Sequence, residues 1–285
     1  ATRAQYLTSG RVIMAAEVRR GYLDCPGGQV HFRRAGHKGP FLLLLHPTPM
    51  SSRSFEKSLP LLGTGLRAIA IDTPGYGMSD RPPVAEPRIQ DYVDQTLAAV
   101  DALGIDEFAL YGSHTGAAIA IALHNIVPQR VTHLIMSGVP ILTESEIAFF
   151  FRNLGEPELQ PGGEHLTRMW KSLGNLAPDS AVLDQLQMAS SQAIAVYDHY
   201  LDGLRAVSKF DMQEAASLIN RPVFVLSAEF DRLADQVDRL EELNTQTQTK
   251  IVRGMHPQLP WTNPALFAEE ITTYVTKHAP SQRAA

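Results

Sequence analysis

The chain has 285 residues, 44% of them hydrophobic and 19% charged, with a formal net charge of −5. This is ordinary globular composition, long enough for one large α/β domain or a core plus a lid. The acid excess disfavours nucleic acid and offers no basic face to an anionic membrane. A single cysteine, Cys25, excludes a disulfide or a cysteine-based metal cluster within this sequence. Its setting, "CPGG", reads as a packing or surface thiol near a turn. The first twenty residues lack the long apolar core of a secretion signal, so the expectation is a soluble, cytoplasmic protein.

In chain order, "GYLDCPGGQVHFRRAG" predicts a hairpin, two short strands around Pro-Gly-Gly. "FLLLLH" is a continuous apolar run, as expected of a strand buried on both faces, and "LRAIAIDTPG" is another. "IQDYVDQTLAAVDALGI" is helical, with Val93, Leu97, Val100 and Leu103 near one stripe. "EFALYG" predicts a third buried strand. "HTGAAIAIALHNIVP" predicts a helix of small and apolar residues that ends before Pro128. "VTHLIMSG", "RPVFVLSA" and a short "KIVRG" predict further strands, and "NPALFAEEITTYVTKHA" a closing amphipathic helix. Strands alternating with helices imply a mostly parallel, doubly wound α/β sheet.

One segment breaks the alternation. Residues 140–219 carry helical patterns and no convincing strand, in "EIAFFFRNLG", "EHLTRMWKSLGNL" and "SAVLDQLQMASSQAIAVYDHYLDGLRAVSKF". The segment reads as a helical cap between two halves of a core, 1–139 and 220–285. It would cover the carboxyl edge of the sheet, where open α/β sheets bind ligands.

"LYGSHTGAA" at 110–118 has the outline of a nucleophile elbow, a strand followed by a tight turn and small residues opening a helix. Around it stand "HPTPMSS" (46–52), "DTPGYGMSD" (72–80), "SAEFDRLAD" (227–235) and "GMHPQLPWTNP" (254–264). In this order and spacing they resemble the oxyanion loop, Asp-x-Pro-Gly turn, acid loop and base loop of the α/β-hydrolase family. The resemblance covers residues 21–278 and is to the capped branch with haloalkane dehalogenases, epoxide hydrolases and meta-cleavage-product hydrolases. It implies Asp231 as the acid and His256 as the base that Asp231 orients.

The elbow departs from the family pattern. The positions two before and two after its central residue are crowded by backbone and must be small. With His114 central they are Gly112 and Gly116; with Ser113 central they would be Tyr111 and Thr115. The frame therefore seats His114 where the family has Ser, Asp or Cys. Ser113 becomes a polar shoulder beside the turn. His114 could attack a carbonyl, position or deprotonate water, or donate a proton to a leaving group; the last two are preferred.

The expected oxyanion donors are the amides of Thr115, at the start of the helix, and Thr48, since Pro47 has no N–H. His46 is expected to hold its loop rather than to react. Trp261, on the base loop, and Trp170, in the cap, are candidate pocket walls along with His46 and Ser113. An aromatic or bulky apolar substrate would suit them. No phosphate loop, dinucleotide fingerprint or metal-ligand cluster stands in the sequence, so no cofactor and no metal are expected.

The residues point to a cofactor-independent hydrolase of an ester, amide, lactone or activated C–C bond. Two alternatives stay open: a lyase, decarboxylase or cofactor-free oxygenase on the same fold, and a pseudo-enzyme that only binds a small molecule. A homodimer is also left open.

Overall fold

The computed structural model describes residues 5–8, 11–154, 158–174 and 183–277. Strands run at β1 (Gln5–Thr8), β2 (Arg11–Met14), β3 (Val18–Cys25), β4 (Gly28–Ala35), β5 (Phe41–Leu45), β6 (Arg67–Ile71), β7 (Phe108–Ser113), β8 (Val131–Ser137), β9 (Val223–Ala228) and β10 (Thr247–Val252). Helices of the sheet region are α1 (Leu59–Leu62), α2 (Ile89–Ala102) and α3 (Thr115–Ile126). Among the described residues, five helices follow between β8 and β9: α4 (Glu144–Leu154), α5 (Glu164–Gly174), α6 (Leu183–Ala195), α7 (Asp202–Ser208) and α8 (Met212–Ser217). The chain then returns through α9 (Gln236–Leu243), α10 (Leu259–Thr262) and α11 (Pro264–Lys277).

Eight strands form one sheet in the order β10-β9-β8-β7-β5-β6-β4-β3. All pairs from β10 to β6 are parallel, while β4 joins β6 and β3 joins β4 antiparallel. The apolar runs account for this. β5, β7 and β9 are buried along essentially their whole length, because helices cover both faces of the sheet. One apolar layer gathers α2 and α3 with residues such as Val100, Ile119 and Leu134, and the other gathers α1 and α11 around Tyr111, Phe55 and Phe267.

The predicted hairpin, buried strands and closing helix stand where the patterns put them. The antiparallel pair β1–β2 and the helix α9 were not anticipated. The last strand begins at Thr247, ahead of the predicted "KIVRG", because half-exposed polar residues hide its start. Within 140–219 no strand occurs among the described residues. The ends of three predicted helical patterns there, 155, 175–176 and 180–182, lie outside the described residues, as do residues 278–279 of the closing pattern.

Candidate active site

The carboxyl ends of β5, β7, β8 and β9 and the inserted helices enclose a cavity of 190 Å³. The elbow lies at its floor. β7 ends at Ser113, His114 has φ 52° and ψ −115°, and α3 starts at Thr115. A side chain larger than glycine rarely holds positive φ, and doing so costs about 1–3 kcal/mol. The surroundings enforce it. His114 N–H donates to the Ser137 carbonyl at 2.9 Å, and the His114 carbonyl accepts from Ala117 at 2.8 Å. A Cβ on Gly112 would stand 2.2 Å from the Gly116 carbonyl oxygen, and one on Gly116 would stand 2.4 Å from that of Leu45. Both flanking positions therefore have to be glycine, which is the steric frame that centres the turn on His114.

The imidazole of His114 reaches across the end of β8 to the loop after β9. Its Nε2 lies 2.9 Å from Asp231 Oδ1, and the Leu233 amide donates to the same oxygen at 2.9 Å. A Cβ on Gly138 would come within 2.3 Å of His114 Cδ2 and 2.4 Å of Nε2, so the ring edge carrying those two atoms rests on a glycine. With Nε2–H donated to a carboxylate, the neutral ring keeps its lone pair on Nδ1, on the opposite edge. His114 lines the cavity and its side chain is 25% exposed, whereas the Asp231 side chain is 2% exposed. Burial pushes the Asp231 carboxyl up, but the adjacent His114, the hydrogen bond from its ring and the Leu233 amide outweigh that and hold it below the ordinary aspartate value.

Asp231 was expected to orient His256. The structure places the His114 ring on its carboxylate. His256 is buried on the loop before α10, with the Phe230 ring 5.4 Å away, and its neighbours Pro257 and Gln258 line the cavity.

Thr48 and Thr115 come together at the floor, with Oγ1 to Oγ1 at 2.8 Å, and both line the cavity. Thr48 sits in a turn closed by Met50 N–H donating to the Pro47 carbonyl at 3.0 Å, and the Thr48–Pro49 peptide is cis. A cis-proline at the third position is the defining feature of a type VI turn. The inserted helices press on this turn, since a Cβ on Gly203 would lie 2.7 Å from Thr48 Cγ2.

The remaining sequence candidates take other places. His46 is fully buried beneath the loop. Its Nδ1 bonds the Pro47 carbonyl at 3.0 Å and its Nε2 accepts from the Thr73 amide at 2.8 Å, so both nitrogens hold backbone. Burial pushes the His46 imidazole below its ordinary value, consistent with a neutral ring that accepts an amide. Ser113 is buried on the same face of β7 as Tyr111, whose phenol lies in hydrogen-bonding reach of Ser113 and Ser137. Trp170 is 36% exposed on α5. Trp261 donates Nε1–H to Asp184 Oδ2 at 3.1 Å, with the Lys57 ammonium 4.4 Å over its ring. None of these four lines the cavity, which is a correction to their expected role as pocket walls. His46 is turned to Pro47 and Thr73, Ser113 to Tyr111, and Trp261 toward α6.

The cavity wall is instead mostly aliphatic: Met50, Leu142, Met169, Leu186, Leu204 and Val207, with Phe150 and Tyr200. Arg232 stands among the lining residues with its guanidinium 4.2 Å from the Phe150 ring centre. Gln185, Arg232 and Gln258 are polar lining residues that the sequence did not single out. A glutamine on a helix reads as solvent-facing, and Arg232 is overshadowed by the acid beside it. Among the described residues no histidine, cysteine or carboxylate group is arranged to hold a metal ion, and no helix is long and apolar enough to cross a membrane.

Comparison with known proteins agrees with this fold. Epoxide hydrolase B of Mycobacterium tuberculosis is 30% identical over 149 residues, 50% of this chain and 41% of that protein. The 2-hydroxymuconate semialdehyde hydrolase of Pseudomonas sp. is 32% identical over 132 residues, 45% of this chain and 43% of that one. The chain thus spans about two fifths of the length of these curated relatives. The enol-lactonase of Burkholderia xenovorans superposes with a TM-score of 0.74 over 90% of this chain and all of its own, at 15% identity. Residues 40–256 match the family described as the alpha/beta hydrolase fold, and with more than half of its length so matched the chain belongs to that family.

Proposed function

We propose that the protein is a cofactor-independent hydrolase of a small organic substrate, an ester, amide, lactone or activated C–C bond, in which His114 works as a base held by Asp231. The observation that carries this is the 2.9 Å contact between His114 Nε2 and Asp231 Oδ1 at the floor of an apolar cavity. A carboxylate on Nε2–H fixes the tautomer and stabilises the imidazolium formed when Nδ1 takes a proton. In the proposed step Nδ1 removes a proton from water, and the hydroxide oxygen bonds to the substrate carbonyl carbon. The amides of Thr48 and Thr115 stabilise the resulting oxyanion. Collapse breaks the bond to the leaving group, which receives the proton from Nδ1, and His114 returns to its starting form.

His256 follows in this reading as a second proton carrier beside the cavity-lining Pro257. The helices α4–α8 act as a cap that excludes bulk water and favours an aromatic or bulky apolar substrate. Relatives named as epoxide hydrolase and semialdehyde hydrolase support hydrolysis over lyase or oxygenase chemistry.

The test is a panel of aryl esters, lactones and 1,5-diketones assayed in air and under argon, with the parent and His114→Ala. Hydrolysis that is independent of oxygen and falls at least a hundredfold in the variant is expected. Equal rates in the two proteins, or turnover that needs oxygen, would overturn the proposal.

A further inference from the structure

A second cleft, of 420 Å³, opens at the edge of the sheet opposite the catalytic cavity. Phe41 and Arg67, the first residues of β5 and β6, line it, whereas the cavity lies at the carboxyl ends of the strands. Strand register builds its floor. Cross-strand partners project to one face, so Arg19, Arg34 and Ile69 stand in one row across β3, β4 and β6, and Arg67 and Phe41 in the next. α2 packs on this face further along and ends at Ala102; Leu103 and Ile105, just past its end, wall the cleft.

The charges of the cleft are not balanced from within. Three guanidinium groups, of Arg19, Arg34 and Arg67, face one carboxylate, Glu17, in a chain whose net charge is −5. Glu17 pairs with Arg19 at 3.3 Å. Arg67 is fixed in place: its Nε donates to the Gly39 carbonyl at 2.8 Å, and its guanidinium lies 3.5 Å from the centre of the Phe41 ring. Its terminal nitrogens have no partner among the described residues. Arg34 stands directly opposite Arg19, a like-charge pair that costs stability. Among the described residues the Arg34 guanidinium makes no hydrogen bond or ion pair, and its contact is the Phe32 ring 5.8 Å away. Arg34 is exposed and Arg67 half-buried, so both forks are open to a ligand.

We propose that this cleft is a second ligand site, separate from the catalytic cavity, for a small organic carboxylate. Its apolar body lies on Phe41 and Leu103, and its carboxylate is held between Arg34 and Arg67. These two are diagonal neighbours on the sheet, about 7–8 Å apart at the backbone, within the reach of long side chains. A planar guanidinium pairs with a carboxylate through two parallel N–H···O bonds, which selects the head group. An anion placed there also offsets the repulsion between Arg19 and Arg34. The site is built from β3–β6 and the end of α2, so it does not depend on the chemistry of His114.

The experiment uses 3-phenylpropanoate, its neutral isostere 3-phenylpropanamide and inorganic phosphate. Dissociation constants are measured by calorimetry at low and high salt on the parent, Arg34→Gln and His114→Ala, with thermal unfolding recorded for each. The parent is expected to bind the carboxylate about tenfold more tightly than the amide at low salt, as for a charged hydrogen bond, and to lose most of that preference at high salt. Arg34→Gln should lose most of it at low salt while unfolding at the same or a higher temperature, because the like-charge pair is gone. His114→Ala should keep the preference in full. Equal binding of carboxylate and amide by the parent, or a preference that survives in Arg34→Gln, would overturn the proposal. So would phosphate binding as tightly as 3-phenylpropanoate, since the apolar floor would then contribute nothing. A preference lost in His114→Ala would place the anion in the catalytic cavity, and an Arg34→Gln protein that unfolds well below the parent would mark Arg34 as structural; either result overturns it too.

Discussion

Gly138 and His114 are fitted to each other: a Cβ at position 138 would stand 2.3 Å from the imidazole Cδ2 and 3.2 Å from Asp231 Oδ2. The glycine is also at φ +60°, where other residues are strained. Gly138→Ala should therefore push the ring off Asp231. The expected outcome is a fall of at least a hundredfold in kcat, with a stability loss of about 1–3 kcal/mol from the backbone alone. Steady-state kinetics and urea unfolding check this, and a fully active alanine variant would remove the His114–Asp231 contact from the mechanism.

The two partners should behave as one unit. Asp231→Asn and His114→Ala are each expected to lower kcat by about 10²–10⁴-fold, and the double variant should be scarcely worse than the worse single one. His256→Ala should cost less than either. Kinetics on the four proteins decide this; additive losses, or a larger loss from His256→Ala, would return the dyad to Asp231 and His256.

Stability should depend on acid through the same carboxylate. The Asp231 value is depressed in the folded protein relative to the ordinary value of 3.8. A depressed carboxyl contributes stability that is fully present above the unfolded value and is lost as pH falls through the folded one. Asp72 behaves likewise: burial pushes it up, but the hydrogen bond from His31, the nearby His46 and the amides of Ser52 and Met78 bring it down on balance. The parent should therefore lose stability as pH drops below about 4. Asp231→Asn should lose less over that window, measured as urea midpoints from pH 3 to 7. Equal slopes for the two proteins would contradict the assignment.

Serine reagents should leave the protein unlabelled at Ser113, whose hydroxyl faces Tyr111 rather than the cavity. His114→Ser places a hydroxyl in the family's usual seat, yet should not recover ordinary esterase activity. Peptide mass spectrometry after fluorophosphonate treatment of both proteins, with ester kinetics, tests this. A stoichiometric adduct on Ser113 of the parent would show that the elbow is framed differently.

Much of this was readable beforehand, and the reasons differ by element. β5, β7 and β9 announce themselves because burial on both faces demands unbroken apolar runs. The seat of His114 follows from Gly112 and Gly116, a local steric rule. What the sequence does not reveal is which way the ring turns, because that depends on Gly138 and Asp231, brought to it from 24 and 117 residues away by the sheet. Trp261 failed as a pocket wall for the same reason: its direction is set by Asp184 in a distant helix. Gln185 carries no signal in the sequence, because nothing local separates a buried helical glutamine from a solvated one.

The strand order has a consequence for what residue 114 can be. β8 lies between β7 and β9, and adjacent strands are about 4.8 Å apart, so the elbow and the acid loop leave strands about 10 Å apart. A hydroxyl or carboxylate at the elbow tip is too short to bridge a gap of that width, whereas an imidazole laid over a bare glycine crosses it to reach Asp231 Oδ1. Residue 114 is thus chosen by length as much as by acidity. A change at this site toward a shorter nucleophile would have to bring in another side chain to span β8.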